Sequence, residues 1–258
     1  MNRKYFFFDI DGTLTEKESR VVVPSAVEAV HRLQKAGHFC SIATGRAFYK
    51  AIGFARENGF HNMVFFGGNG IYLNDTFIES RPLPRETALT LYHQAVGAGY
   101  GVLTAIDDSV KVYADSFLFY DQVGPRQEPT TYIIDENFDI DAVPDIYKMY
   151  IAVPKEEESR LPALRDIGQL RFAKEYLTIQ PDNKRNGILR MLELTGGSPE
   201  DVIVFGDDTN DLVMFTEPFY RVAMGNAEEI LKQHADYVTD RNVDDGIFNA
   251  CLHHGWFD

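Results

Sequence analysis

The chain has 258 residues, a formal net charge of −14 and two cysteines, and it contains no apolar stretch near the roughly 18 residues that span a bilayer. This length allows two modest domains or one large one, and the acidic balance excludes nucleic acid and anionic membranes as partners, because both are bound through basic surfaces. Cys40 and Cys251 are expected to be free and buried, which indicates a reducing, cytoplasmic compartment.

The first predicted strand, residues 5–8, is a wholly apolar run that leads directly into Asp9-Ile10-Asp11-Gly12. Such a run is typical of a strand buried on both faces of a parallel sheet that helices cover. Sheets of this kind bind ligands outside the carboxyl ends of their strands, where Asp9 and Asp11 fall. Because side chains alternate along a strand, both carboxylates can face the same side. Their repulsion must be offset by a cation or a shared proton, and a divalent metal ion is the simplest choice.

Helix and strand patterns alternate after this strand, as in a doubly wound α/β sheet. The apolar spacing predicts a helix from Pro24 to Gly37, a strand over 39–43, a helix over 47–58 and a strand over 63–66. Thr44-Gly45-Arg46 ends the strand over 39–43 and adds a hydroxyl and a glycine to the carboxyl edge of the sheet. A β-hairpin around Asn74-Asp75 is predicted to follow.

The pattern changes from about residue 82, where helices and short strands mix. Helical stretches are predicted over 85–96 and 155–165, and strands over 100–106, 110–113, 147–153 and 171–180. Past Pro181 the alternation returns with a helix over 185–195 and a buried strand over 202–205. We therefore predict a core domain of residues 1–81 and 181–258, interrupted by an inserted α+β domain of residues 82–180.

The strand over 202–205 leads into a second acidic segment, Gly206-Asp207-Asp208-Thr209-Asn210-Asp211. Lys184 opens the preceding helix, so its ammonium can reach the same sheet edge. Further on, Asn226 and Glu229 have the spacing of a helix-capping pair. The groups predicted to meet at the carboxyl edge are Asp9, Asp11, Thr44, Lys184, Asp207 and Asp211.

These motifs, in this order and at this spacing, resemble the haloacid dehalogenase-like (HAD) superfamily, and specifically its Cof-type branch of small phosphatases, subfamily IIB. The resemblance implies a Rossmann-like doubly wound parallel core with an inserted α+β cap that selects the substrate. Asp208 departs from the pattern, because the family often has glycine there. The loop before Lys184 is shorter than is usual in this branch, which leaves Arg185 as the alternative cation. The matching segments are Asp9-Ile10-Asp11-Gly12-Thr13-Leu14, Ala43-Thr44-Gly45-Arg46, Lys184 with Gly187-Ile188, Gly206 to Asp211, and Ala223-Met224-Gly225-Asn226-Ala227.

The resemblance also implies roles for individual residues. Asp9 would be the nucleophile that becomes an aspartyl phosphate, and Asp11 the general acid and base. Lys184 would neutralise charge on Asp9 and on the phosphoryl group. Phosphate binding is assigned to Thr44, Gly45, Lys184 and Asn210. Mg²⁺ is assigned to Asp9, the backbone carbonyl of Asp11, Asp207 and, through bound waters, Asp211.

The resulting prediction is a Mg²⁺-dependent phosphatase that hydrolyses a small phosphorylated metabolite, such as a sugar phosphate, a nucleotide or a cofactor phosphate. A phosphotransferase or phosphomutase with the same intermediate is the alternative that the motifs leave open. Asp11 argues against a non-catalytic phosphate-binding module, because a base beside an aspartyl phosphate shortens its lifetime. A dehalogenase needs no metal, so the presence of Asp207 and Asp211 argues against that activity.

Overall fold

The computed structural model describes residues 2–171 and 173–257. The chain folds into two compact units, one formed by Met1–Ser80 with Asn183–Asp258 and the other by Arg81–Asp182. None of the described helices is long and apolar enough to cross a membrane.

The described strands are β1 (Tyr5–Phe8), β2 (Phe39–Ala43), β3 (Met63–Phe65), β4 (Gly70–Leu73), β5 (Thr76–Ser80), β6 (Val102–Ala105), β7 (Lys111–Ala114), β8 (Thr131–Ile134), β9 (Lys148–Ile151), β10 (Gln169–Leu170), β11 (Leu177–Ile179), β12 (Val202–Gly206), β13 (Tyr220–Ala223) and β14 (Tyr237–Val238). The described α-helices are α1 (Pro24–Lys35), α2 (Phe48–Glu57), α3 (Arg85–Gly97), α4 (Leu118–Val123), α5 (Lys184–Thr195), α6 (Glu229–Gln233) and α7 (Gly246–His254).

The first unit is built on an eight-stranded sheet in the order β14-β13-β12-β1-β2-β3-β4-β5. The strands from β14 to β3 are parallel to one another, while β4 and β5 continue the sheet as an antiparallel hairpin. The prediction of a doubly wound parallel α/β core is therefore confirmed. Because β2 and β12 lie on opposite sides of β1, the strand order reverses at β1, and ligands of such sheets bind at this reversal.

The core of this unit follows from the alternation of side chains along β1. Its four residues are all buried, with Phe7 in a cluster that includes Ile188 and Met191 of α5. Phe6 points to the other face, where its ring lies 5.1 Å from that of Trp256. Helix α1 buries the apolar positions that its spacing predicts, namely Ala26, Ala29, Val30 and Leu33.

The second unit contains a six-stranded sheet in the order β10-β11-β9-β6-β7-β8, antiparallel except for the β7–β8 pair. The helical stretch predicted over 155–165 is helical but not continuous, because it forms two short 3-10 helices, Lys155–Arg160 and Pro162–Asp166. Pro162 lacks the N–H that a continuous helix requires. Of the strand predicted over 171–180, residue 172 lies outside the described residues, and the observed strand is β11.

Candidate active site

Asp9 and Lys184 form the centre of the site at the carboxyl end of β1. The ammonium of Lys184 donates hydrogen bonds of 2.6 Å to Asp9 Oδ1 and of 2.6 Å to Asp211 Oδ1. Only 1% of Lys184 is exposed. Burial lowers the pKa of Lys184, but the carboxylates of Asp211 and Asp9 raise it more, so the pKa lies above its ordinary value and the ammonium stays charged.

Three buried carboxylates converge here, from Asp9, Asp207 and Asp211, each with an oxygen within 4.8 Å of the others. Burial, reinforced by the charge of Asp211, raises the pKa of Asp207 to about 7. Burial and the charges of Asp211 and Asp207 likewise raise the pKa of Asp9 to about 8, although Lys184 opposes them. With all three ionised, the ammonium of Lys184 leaves two negative charges unbalanced, which is the charge that one divalent cation neutralises. Hard carboxylate oxygens are the ligands that Mg²⁺ prefers, so these residues fit that ion.

The turn after β1 brings the first motif against Asp207. Gly12 has a φ of +91°, and a Cβ atom at this position would lie 2.1 Å from Asp207 Oδ2. Glycine is therefore required both for the backbone conformation and for the close approach. The hydroxyl of Thr13 then donates a hydrogen bond of 3.1 Å to Asp207 Oδ1.

The acidic segment after β12 fixes its own carboxylates through backbone hydrogen bonds. Asp211 Oδ2 accepts from the amides of Asp207 (2.9 Å) and Asp208 (3.2 Å), while Asp208 Oδ1 accepts from the amide of Thr209 (2.6 Å). This reciprocal capping starts the 3-10 turn Thr209–Met214. It leaves Asp211 Oδ1 to contact Lys184.

A tight loop after β3 positions the start of α5. The amide of Asn183 donates to the carbonyl of Gly67 (2.7 Å), and the amide of Phe66 donates to the carbonyl of Arg46 (2.8 Å). The loop thereby connects the segment after β2 to the helix that carries Lys184. Arg185, the alternative cation, has its guanidinium 5.6 Å from the ring centroid of Phe219.

Apart from Lys184 at the start of α5, the residues assigned to phosphate binding follow β2 and β12. Thr44 is buried, its amide donates to the carbonyl of Val64 (2.9 Å), and its hydroxyl accepts from the amide of Arg46 (3.1 Å). Gly45 lies within this turn. Asn210 Oδ1 is buried without a hydrogen-bond partner among the described residues. A polar side-chain atom of this kind marks a place where a ligand can complete the hydrogen bonding.

Arg46 is a residue to which the sequence analysis gave no role. Its Nε donates to Asp11 Oδ2 (2.9 Å) and its Nη2 to Asp11 Oδ1 (2.5 Å), so the guanidinium holds the carboxylate with two bonds. Asp11 therefore stands apart from the three clustered carboxylates, with its side chain turned to Arg46. The position of Arg46 after Thr44-Gly45, at the end of the strand beside β1, was the sequence signal for this contact.

Two further contacts differ from the sequence-based expectation. The capping pair of Asn226 and Glu229 is wrong, because α6 begins only at Glu229 and its N-terminus has no side-chain cap. Asn226 instead donates to the carbonyl of Gly12 (2.8 Å) and accepts from the amide of Asn242 (2.9 Å), so it braces the turn after β1. Lys17, which the sequence analysis also missed, bonds to Asp208 Oδ2 (2.9 Å).

Comparison with known proteins agrees with this geometry. The family of haloacid dehalogenase-like hydrolases matches residues 6–251. A Bacillus subtilis (strain 168) protein named "Putative phosphatase YkrA" is 29% identical over 253 residues, which are 97% of each chain. Pyridoxal phosphate phosphatase YbhA of Escherichia coli (strain K12) is 28% identical over 284 residues, with 98% of this chain and 99% of that one covered.

Among solved structures, that of the HAD subclass IIB sugar phosphatase BT4131 has the same fold. It superposes with a TM-score of 0.78 at 24% identity, covering 98% of this chain and 100% of that one. The match along residues 6–251 shows that the chain belongs to the haloacid dehalogenase-like hydrolase family, in which it is a phosphatase.

Proposed function

We propose that this phosphatase is Mg²⁺-dependent and hydrolyses a small phosphate monoester through an aspartyl phosphate on Asp9. The observation that carries the proposal is the buried group of Asp9, Asp207 and Asp211 with Lys184 bonded to two of them. Burying like charges destabilises a fold unless the charges are paired. A group of three buried carboxylates with one ammonium therefore indicates a functional site.

Mg²⁺ would be held by Asp9, Asp207 and the backbone carbonyl of Asp11, with Asp211 contacting its bound waters. The ion would supply positive charge to the phosphoryl oxygens, which reduces their repulsion of an incoming carboxylate. Gly12 and Thr13 support this arrangement, because the turn directly after Asp11 lies against Asp207.

Asp9 is proposed to attack phosphorus while Lys184 holds one of its oxygens. The new bond joins a carboxylate oxygen of Asp9 to phosphorus, and the bond from phosphorus to the ester oxygen breaks. Asp11, which has to be protonated and released from at least one of its two bonds to Arg46 at this step, gives its proton to that leaving oxygen. In the second step Asp11 takes a proton from water, the water oxygen bonds to phosphorus, and inorganic phosphate leaves as the carboxylate of Asp9 is regenerated.

The phosphoryl group is proposed to contact the hydroxyl of Thr44, the amide of Gly45, the amide group of Asn210 and the ammonium of Lys184. Groups fixed in advance stabilise developing charge without reorganisation during the reaction. The burial of Thr44 supports its assignment, and its hydroxyl accepts from the amide of Arg46, which leaves its own hydrogen free to donate. Asn210 would donate through its Nδ2, because its unpartnered Oδ1 is an acceptor, as the phosphoryl oxygens are.

The second unit is proposed to be the cap that selects the substrate. The names of two similar proteins indicate pyridoxal phosphate and sugar phosphates as the first substrates to test. Both are small monoesters, in agreement with the net charge of −14, which disfavours polyanionic partners.

The test is phosphate release from a panel of sugar phosphates, nucleotides, flavin mononucleotide and pyridoxal phosphate, with Mg²⁺ or with EDTA. We expect release that needs Mg²⁺ and that Asp9→Asn and Asp11→Asn both abolish. A folded, Mg²⁺-loaded protein that releases phosphate from no monoester would overturn the proposal. Phosphoryl transfer to an added sugar acceptor would then be measured, because the alternative activity uses the same intermediate.

A further inference from the structure

A second lysine, Lys17, contacts one member of the buried carboxylate group, Asp207. Its ammonium lies 3.4 Å from Asp207 Oδ2 and 2.9 Å from Asp208 Oδ2. The side chain of Asp207 is fully buried, whereas 44% of the side chain of Lys17 is exposed. Asp207 is therefore a buried carboxylate in contact with a cation that solvent can reach.

Asp208 is fixed in a position to retain this lysine. Its Oδ1 accepts from the amide of Thr209 at 2.6 Å, which leaves Oδ2 for Lys17. The ammonium is thus nearer to Asp208 than to Asp207.

Lys17 belongs to a short turn that its backbone bonds close. Residues 15 and 22 form a bridge, the amide of Glu16 donates to the carbonyl of Val21 (2.9 Å), and the amide of Arg20 donates to the carbonyl of Glu16 (2.9 Å). The turn starts three residues after Gly12, so it projects from the segment that would supply a metal ligand. Its lysine can exchange partners without a change in the sheet.

We propose that the ammonium of Lys17 competes with Mg²⁺ for the carboxylate of Asp207. Asp208 keeps the ammonium beside the site through its own bond to Lys17. This inference rests on the proposed function, because it concerns the Mg²⁺ site assumed there. When Mg²⁺ binds, the ammonium keeps its bond to Asp208 and gives up its contact with Asp207 Oδ2. Lys17 thereby weakens Mg²⁺ binding while it lowers the repulsion among the carboxylates of the ion-free protein.

The sign of the effect follows from Coulomb's law. Replacing Lys17 by methionine removes a positive charge that repels the ion and competes for its ligand. We expect Lys17→Met to bind Mg²⁺ at least about threefold more tightly at low ionic strength. The gain should shrink as salt is added, because the lysine is exposed and its charge is screened.

The experiment is calorimetric titration of the full chain with Mg²⁺, without substrate, for the wild type, Lys17→Met, Lys17→Arg and Asp208→Asn. Lys17→Arg keeps the charge and should bind Mg²⁺ as the wild type does. Asp208→Asn should bind it more weakly, because Lys17 then contacts Asp207 alone. When Lys17 is already methionine, Asp208→Asn should reduce the Mg²⁺ affinity by a smaller factor, because Asp208 then has no lysine to hold away from Asp207. Urea unfolding verifies that each variant is folded.

Equal or weaker Mg²⁺ binding by a folded Lys17→Met protein would overturn the inference and leave the proposed metal site standing. Absence of Mg²⁺ binding by the wild type would overturn the metal site itself and the inference with it. If Asp208→Asn reduces the Mg²⁺ affinity by the same factor in the wild type and in Lys17→Met, Asp208 acts on the ion directly. That result would overturn its proposed role of holding Lys17.

Discussion

At the residue scale, the ammonium of Lys184 offsets the free-energy cost of burying the carboxylates of Asp9 and Asp211 side by side. A buried charge left unpaired is far more costly than a buried pair, with a typical loss of about 3–5 kcal/mol when one partner is removed. The contacts of 2.6 Å to both carboxylates show that Lys184 serves two such partners at once.

We expect Lys184→Met to lose about 3–5 kcal/mol of unfolding free energy in EDTA at neutral pH. Urea unfolding measures the loss, and Mg²⁺ should recover part of it, because the ion replaces the missing positive charge. Lys232→Met is the control, since Lys232 pairs with an exposed glutamate and its removal should cost no more than about 0.5 kcal/mol. Equal stability of the two variants would contradict this role of Lys184.

A second prediction at this scale concerns the two-bonded contact between Arg46 and Asp11. A lysine at position 46 keeps the charge but cannot form both bonds, so it should hold the Asp11 carboxylate less firmly. We expect Arg46→Lys to lower kcat by about tenfold, with a smaller change in KM. Arg56→Lys, on the exposed side of α2, is the matched control and should leave both constants unchanged. An unchanged kcat in Arg46→Lys would exclude a positioning role.

At the scale of elements, the close packing of α5 on the loop after β3 determines where Lys184 lies. A Cβ atom on Gly187 would lie 2.4 Å from Val64 Cγ1 and 2.8 Å from the Cα of Gly68. Gly53 in α2 is the natural comparison, because a Cβ atom there would meet nothing within 4 Å. One helical glycine is thus required by packing and the other is not.

Gly187→Ala should therefore lower the free energy of unfolding by about 1–3 kcal/mol, because α5 must move to make room for the methyl group. It should also remove most of the phosphatase activity, because Lys184 moves with α5. Gly53→Ala should instead raise the free energy of unfolding by about 0.5–1 kcal/mol, because alanine has a better helix propensity than glycine. Urea unfolding and phosphatase assays on both variants measure these effects. The prediction fails if the two alanine variants change stability in the same direction.

How far the sequence could predict this structure depended on whether a feature was local. The run that forms β1 and the apolar spacing of α1 are local signals, and both elements were predicted. Arg46 contacts Asp11 from 35 residues away, and Asn226 contacts Gly12 from 214 residues away. Such partners depend on the topology of the sheet, which explains why Arg46 received no role and Asn226 an incorrect one.

At the scale of the whole molecule, the buried carboxylates link stability to pH and to Mg²⁺. Carboxyl groups in an unfolded chain have pKa values near about 4. In the folded protein the pKa of Asp207 is raised to about 7 and that of Asp9 to about 8. Between about pH 4 and about pH 7 the folded state thus binds more protons, so its free energy of unfolding falls as the pH rises.

In EDTA, we expect Asp207→Asn to be more stable than the wild type at about pH 8, by about 1–4 kcal/mol, because a buried charge is removed. At about pH 5 the difference should be much smaller, since Asp207 of the folded protein is then protonated. Mg²⁺ should stabilise the wild type more at the higher pH and should have little effect on the variant. Urea unfolding at both pH values tests this, and a difference that does not change with pH would contradict it.

The proposed mechanism requires that Asp9 carries the phosphoryl group during turnover. The direct measurement is intact-mass analysis and peptide mapping of Asp11→Asn after rapid acid quenching from p-nitrophenyl phosphate and Mg²⁺. The leaving group of this substrate needs no protonation, so the aspartyl phosphate can form in Asp11→Asn. The variant lacks the base that would activate water to hydrolyse it. We predict one added phosphoryl group on the peptide that contains Asp9, absent in the double variant with Asp9→Asn. Phosphate on any other residue, or p-nitrophenol released without labelling of the protein, would contradict the account.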